Sequence, residues 1–390
     1  MVNNNSSKLL LSLKEPIRSF SLNNNILALS QEETLLIYTY PKLELIGSFK
    51  EHDKRITSID ICQADGKILT TSEDRTCVVY APGRSGYTTS LVVTRFLKSI
   101  NFGKWNQSGN KFFICSADMG QLGVCYFDHE TNWWISKHIS PSPTHLSGGS
   151  LTQGASWDPE NDVLVTFGDN FGNLTTVSTF LKKLDDKERL KGSPYGEKFP
   201  FGKILKESMP NTNGAAINDV AYLPKDSSKV VILQNDGSIT LFDNVNGTTI
   251  SRVFDSASGK PFNKIEFINA TEFIVAGFND APLLYTIENG SSIKFLKNLS
   301  GASKSSQSAK IGGQQAGAGG EEEEQQFASG IQALKMFKDM DTRGKQQAYS
   351  PSSFSNDETN VHVMPITDIS FDTDTLISSG LDGKLIEYSI

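Results

Sequence analysis

The feature that most constrains this chain is a short pattern that returns. Residues 68–80 read ILTTSEDRTCVVY: an apolar strand, a turn on Asp74-Arg75, then an alternating strand ending in Tyr80. The pattern recurs at 376–388 (LISSGLDGKLIEY) and 230–242 (VVILQNDGSITLF), with Asp382-Gly383 and Asp236-Gly237 in the turns. Weaker copies stand at 26–38, 112–126, 163–177 and 273–285. The copies close on Tyr38, Tyr80, Tyr126, Val177, Phe242, Tyr285 and Tyr388, at spacings of 42, 46, 51, 65, 43 and 103 residues. Alternation of this kind belongs to strands, and about 40–45 residues make a four-stranded propeller blade. The chain therefore reads as all-β, a seven-bladed β-propeller, within the usual range of about 4–8 blades. The fourth interval carries a modest insertion, and about 60 extra residues precede the last blade.

A second mark points to the WD-repeat type. His52 stands four residues before Ile56, which opens ITSIDI, and His362 four before Ile366, which opens ITDISF. In WD repeats such a histidine joins a strand hydroxyl, the turn aspartate and the closing aromatic in a hydrogen-bonded tetrad. The expected tetrads are His52, Thr70, Asp74 and Tyr80, then His362, Ser378, Asp382 and Tyr388. Tyrosine stands where the usual tryptophan would be, and a phenol O–H donates from a different position than an indole N–H. The other five blades are expected to rest mainly on apolar packing. Both histidines are read as buried structural residues, not as metal ligands or bases. The chain ends at Ile390, just after the third strand of the last blade. An open edge would remain there, so residues 8–14 (KLLLSLK) are expected to supply the fourth strand and close the ring. The organisation is then 1–296 for six blades and the closing strand, 297–360 for the insertion, and 361–390 for the final blade.

Composition excludes several function classes. Lys+Arg 37 against Asp+Glu 44 gives a net charge of −7, the wrong sign for a protein that binds nucleic acid by replacing phosphate counterions. No apolar run approaches the roughly 20 residues of a membrane span, so no membrane insertion is expected. Leu9, Leu10, Leu11 and Leu13 make too short a stretch for a signal peptide. Cys62, Cys77, Cys115 and Cys125 form no C-x-x-C pair, and are read as reduced in a cytosolic protein. Catalytic signatures are equally sparse. The sequence holds no G-x-S-x-G and no phosphate-binding G-x-x-x-x-G-K-[ST]. Cys115 and Cys125, the nearest approach to a metal pair, fall on different strands. Glu321–Glu324 reads as a solvated charge block. No cofactor and no enzymatic activity are expected, although a propeller hydrolase with acidic residues in its channel stays open at this level.

Two segments belong to no blade. Around 178–208, Tyr195, Phe199 and Phe201 alternate with Gly and Pro. Such aromatics either pin the loop to the propeller or serve as partner-binding anchors. In the insertion, Gly, Ser, Ala and Gln dominate from Ser300 to Gly320, a composition that cannot bury enough apolar surface to order itself. A short amphipathic helix is expected over about 325–340. Phe327, Ile331, Leu334 and Phe337 lie at i, i+4, i+7 and i+10, within about 120° of one helix face. Lys335, Lys338 and Arg343 toward its end suit the helix dipole. A tethered helix this short is marginal in water without a partner; it either folds back onto its own propeller or, the favoured reading, docks these four residues in another protein's apolar groove.

Four motifs carry a family resemblance: Glu15-Pro16-Ile17, Lys50-Glu51-His52, Asn132-Trp133-Trp134 with Lys137-His138-Ile139, and Gly196-Glu197-Lys198-Phe199-Pro200-Phe201-Gly202 with Glu207-Ser208. By these, from about residue 8 to 390, the chain resembles the WD-repeat subunit of the actin-related protein 2/3 complex, the nucleator of branched actin filaments. The resemblance implies a non-catalytic structural subunit of the cytoplasmic actin cytoskeleton. Its partners would be the other subunits, two of them actin-like, together with the actin filament and nucleation-promoting factors. It also implies that the insertion helix contacts actin. A generic WD-repeat adaptor or scaffold in another cytosolic complex is the alternative.

Overall fold

Each copy of the pattern builds a four-stranded antiparallel meander, because alternation fixes which face of every strand is apolar and Gly or Asp turns reverse the chain. The computed structural model describes residues 7–390 except 24, 85, 118–120, 140–150, 161, 187–192, 197, 212, 255–258, 301–359 and 373–374. Among the described residues, 28 strands form six hydrogen-bonded sheets, five of four strands and one of eight. The eight-stranded sheet is two meanders joined edge to edge, so the described strands make seven four-stranded sets. Residues 1–302 and 360–390 form one compact unit, and within it the chain is a WD-type propeller. The segment expected to hold a helix, with Phe327, Ile331, Leu334 and Phe337, lies outside the described residues.

The core is distributed between blades. Ala28, Leu35 and Ile37 of the first blade pack on Ile56, Ile59, Ile61, Val78 and Tyr80 of the second. Comparable clusters fill the later interfaces, for example Val231, Leu241, Phe262, Phe273 and Tyr285 between the fifth and sixth. Because both faces of each sheet are covered, the middle strands lose the polar-out alternation. Ile68–Ser72 and Leu174–Ser178 are buried along their whole length. Several of their threonines and serines find local partners: Thr70 bonds His52 Nε2 at 2.7 Å, Ser72 the Lys54 carbonyl at 3.1 Å, Thr176 the Thr166 hydroxyl at 2.7 Å and Ser178 the Phe199 carbonyl at 2.9 Å.

The first strand of every blade lines the centre and touches the first strand of the next. Short polar side chains on these strands reach across to backbone N–H groups. Ser19 and Ser21 hydroxyls accept from Ile59 N and Ile61 N, both at 3.0 Å. Ser58 Oγ accepts from Gly103 N at 3.0 Å, and Asp60 from Trp105 N at 2.6 Å. Trp157 donates its indole N–H to the Lys104 carbonyl at 3.0 Å. Asp219 accepts from Ile265 N at 3.1 Å. Asp368 takes the Ser19 hydroxyl at 2.8 Å. Adjacent first strands sit too far apart for ladder bonds, and these side chains satisfy donors that the meanders leave over.

Ring closure uses the N-terminal strand. Ser7–Ser12 pairs antiparallel with Lys384–Ser389, with Ser7 opposite Tyr388 and Ser12 opposite Lys384. The run continues through Leu13 N to the Gly383 carbonyl at 2.8 Å and Ile17 N to the Gly380 carbonyl at 3.2 Å. Gly383 adopts φ 72°, and a β-carbon there would overlap the Leu13 and Glu15 carbonyl oxygens, so only glycine admits the closing segment. Ile17 is fully buried with Phe20, Leu22, Ile377 and Leu385. Truncating Ile17→Ala should cost about 2–4 kcal/mol of stability. Removing residues 1–12 should lower the thermal midpoint further and promote self-association through the bared Lys384–Ser389 edge. Thermal unfolding and size-exclusion chromatography check both; an unchanged midpoint after truncation would show that closure does not depend on this strand.

Candidate functional site

The histidine clusters are built by the turn that ends each repeat. In the second blade, Asp74 folds the turn onto itself, accepting from Thr76 N at 2.7 Å and, through its other oxygen, from Asp53 N at 2.9 Å. His52, with a fully buried side chain, places Nδ1 at 2.8 Å from Thr76 Oγ1 and 3.3 Å from Asp74, and Nε2 at 2.7 Å from Thr70 Oγ1. The final blade repeats this. His362 Nδ1 is 3.0 Å from Asp382, Nε2 is 2.7 Å from Ser378 Oγ, and Asp382 accepts from Val363 N at 3.0 Å. In the neutral imidazole, Nδ1–H donates toward the aspartate and Nε2 accepts the hydroxyl proton. Burial favours that neutral form, lowering the His52 pKa against the pull of Asp74. Burial also works to raise Asp382, but bonding to His362 and to two N–H groups outweighs it and holds the carboxylate below its usual range.

The fourth tetrad members behave differently. Tyr80 and Tyr388 are buried, and among the described residues their hydroxyls have no hydrogen-bond partner. Burial pushes Tyr388 up to about 12, with Asp382 adding to the rise and the neighbouring Ser378 hydroxyl opposing it. A phenol in the place of an indole extends further from the backbone, so these residues contribute packing, Tyr80 against Phe49 at 5.5 Å. The fifth blade adds a polar latch to its apolar packing. Asp236 binds Asn211 Nδ2 at 3.2 Å and the Arg252 guanidinium at 2.7 Å. Its Asp-Gly turn, shared with the last blade, was the sequence signal for such a latch; Asn in place of His concealed it.

The described residues of the aromatic segment between Ser178 and Ile204 contact three blades, as a strap would. Asp185 accepts both carboxylate bonds from Lys111 of the third blade, at 2.8 and 2.7 Å. Lys111 has no exposed side-chain surface and its ammonium lies 5.6 Å from the Trp157 ring. Phe199 is buried with Val163, Leu164 and Phe180 of the fourth blade. Phe201 is half-buried against the third–fourth interface, with Lys137 Nζ 5.7 Å from its ring. The Tyr195 hydroxyl takes Asn244 Nδ2 of the fifth blade at 2.7 Å. Phe199 presents almost no surface to a partner, whereas Tyr195 and Phe201 each keep part of theirs.

Sequence reasoning gave no sign of the seam between the second and third blades. Their outermost strands, Gly86–Val93 and Trp133–Ile139, pair in parallel, Trp134 beside Val92 and Ile135 beside Val93. Trp134 turns inward among Trp105, Phe112 and Phe127, with ring centroids 5.4–5.5 Å apart. His138 stacks on Phe96 at 4.5 Å and bonds the Thr94 carbonyl. On the outside, Leu91, Val93 and Trp133 remain exposed, Trp133 at 57%, as an apolar strip along the rim.

These features stand beside clear sequence relationships. Residues 43–80, the span holding His52, Thr70, Asp74 and Tyr80, match the family described as WD domain, G-beta repeat. The chain is similar to "Actin-related protein 2/3 complex subunit 1" of Saccharomyces cerevisiae, 33% identical over 386 residues, 97% of this chain and 96% of that protein. It is similar to the protein of the same name in Schizosaccharomyces pombe, 26% identical over 348 residues, 88% of this chain and 87% of that one. Subunit 1A-B of Xenopus laevis is 28% identical over 250 residues, 64% of each chain.

The buried ion pair of the strap makes a sharp test. Asp185→Ala leaves Lys111 charged and unpaired in the interior and should cost about 3–5 kcal/mol. The double variant Lys111→Met with Asp185→Leu should recover most of that loss. A double-mutant cycle by denaturant unfolding measures it; additive effects would mean the pair is not coupled.

Proposed function

This chain belongs to the family of actin-related protein 2/3 complex subunit 1, and from that premise we propose that it is a non-catalytic structural subunit of such a complex, supporting nucleation of branched actin filaments in the cytoplasm. The observation that carries the reading is similarity to a relative of that name along 97% of the chain. What the residues do is consistent with it. The two buried histidines and their carboxylates spend their bonding capacity on tying the entering loop to its own blade. The strap holds blades together with its cation, carboxylate and aromatics.

Nucleation is slow because small actin clusters fall apart before they grow. A complex that holds two actin-like subunits in filament geometry removes the translational and rotational entropy from that encounter. A propeller suits the task because its shape is fixed by many blade interfaces. Nucleotide chemistry would reside in the actin-like partners. The exposed strip of Leu91, Val93 and Trp133 is one surface for contact within the complex. Phe327, Ile331, Leu334 and Phe337 of the 297–360 insertion are the proposed contact with the actin filament or with actin delivered by a nucleation-promoting factor. In this reading the amphipathic segment would gain its helix on binding such a partner.

Two measurements test this. The tagged chain, purified from its native cytosol, should retain a stoichiometric set of subunits, two of them actin-like; a solitary propeller or another partner set would overturn the assignment. Deleting residues 303–357 should leave the propeller folded and the complex assembled while reducing branch formation. Full branching by the reconstituted complex lacking that segment would remove the insertion from the mechanism.

A further inference from the structure

The central channel holds six ionisable side chains that no contact of the proposed function uses. Asp60, Lys104, Asp219, Lys264, Glu266 and Asp368 stand on the first strands of five blades, within electrostatic reach of one another. Three of the carboxylates also join neighbouring blades, Asp60 through Trp105 N, Asp219 through Ile265 N, and Asp368 through Phe20 N and Ser19 Oγ. Lys264 lies 3.9 Å from Asp368. Glu266 is different: among the described residues no hydrogen bond or close ion pair holds it. Four carboxylates thus share the channel with two ammonium groups, Lys104 exposed and Lys264 keeping 39% of its side chain open to solvent. Asp60, Asp219 and Glu266, gathered in this way, oppose one another's ionisation.

We propose that the channel carboxylates Asp60, Asp219 and Glu266 share protons as one cluster, so that the folded ring gains stability when the surroundings turn from mildly alkaline to mildly acidic. Burial pushes Glu266 up to about 7, against Lys104 and with Asp368, Asp219 and Asp60 adding to the rise. It pushes Asp60 to about 6 despite Lys104 and the bond from Trp105. Asp219 is raised by burial as well. Lys264 is raised chiefly by Asp368. For Lys104 burial acts downward, and Glu266, Asp60, Asp219 and Asp368 together overcome it. An acid whose folded-state pKa lies above its unfolded value binds more protons folded than unfolded between the two. Stability from this source is complete below the unfolded value and is lost as pH rises through the folded one. For Glu266 that window runs from its ordinary 4.5 to about 7.

The test is denaturant unfolding of the full-length chain at pH 8, 7 and 6, for the parent, Glu266→Gln and Lys104→Gln. The parent's folded-to-unfolded ratio should gain roughly three- to tenfold from pH 8 to 6 through this cluster. Glu266→Gln should be more stable than the parent at pH 8 and lose most of that gain. Lys104→Gln, which removes a neutralising charge, should move the gain to higher pH. Amide exchange at Trp105 and Ile265, corrected for its intrinsic pH dependence, should slow over the same interval in the parent alone. A Glu266→Gln profile parallel to the parent's, or a Lys104→Gln profile that is not displaced, overturns the proposal. Should Glu266→Gln fail to fold, the Lys104→Gln displacement decides it.

Discussion

A propeller buries both faces of every sheet only if the ring closes. In this chain closure rests on one pairing between distant ends of the sequence, Ser7–Ser12 against Lys384–Ser389. Were that strand absent, the last blade would keep an unpaired edge, and the interface of Ile17, Phe20 and Leu22 with Ile377 and Leu385 would open to water. Every other interface is made by neighbours in sequence and can form locally. This one must wait for the two ends to meet, so its loop-closure entropy is set against all the burial that closure completes.

Closure alone would leave the inner strands fanned apart with donors exposed to the channel. Short hydroxyls and carboxylates solve that problem, since they reach from one first strand to the N–H groups of the next without the bulk that would choke the centre. The same device recurs at the outer edge. There Asp74 and Asp382 fold their turns and orient His52 and His362, which tie the entering loop to the blade. Polar chemistry that could pass for a catalytic triad is consumed by architecture, and each group is buried, neutral or already bonded.

Specialisation appears where the blades are not equivalent. The second and third are fused at the rim by a parallel pairing, and the third to fifth are strapped together by the Lys111–Asp185 pair, Phe199 and Tyr195. Family motifs fall on these places: Ile17 at ring closure, His52 in its cluster, Trp134 and His138 at the seam, Phe199 in the strap. A subunit that must hold its geometry while partners bind on several sides gains from rigidity placed in this way, because a stiff surface loses less conformational entropy on association.

The fold was legible in the sequence because a propeller is periodic. Strand alternation, the Asp-Gly turns and a near-constant repeat each report on local structure, and seven weak signals reinforce one another. The closing strand followed by elimination, since a missing fourth strand and one spare apolar run left a single pairing. His52 and His362 were legible for the same reason, being fixed at a constant distance before a strand. Contacts without a repeat to announce them were not. Nothing near Lys111 names Asp185 as its partner 74 residues away. Nor does any local pattern say that Val92 and Trp134 would lie side by side, or that four carboxylates and two lysines from five blades would converge on one channel. Sequence alone thus determined the repeat, its strands and its turns, which depend on neighbours a few residues apart. Tertiary structure alone decided the seam, the strap and the channel's charge cluster, because each depends on how far the ring's geometry carries residues that are distant in the chain.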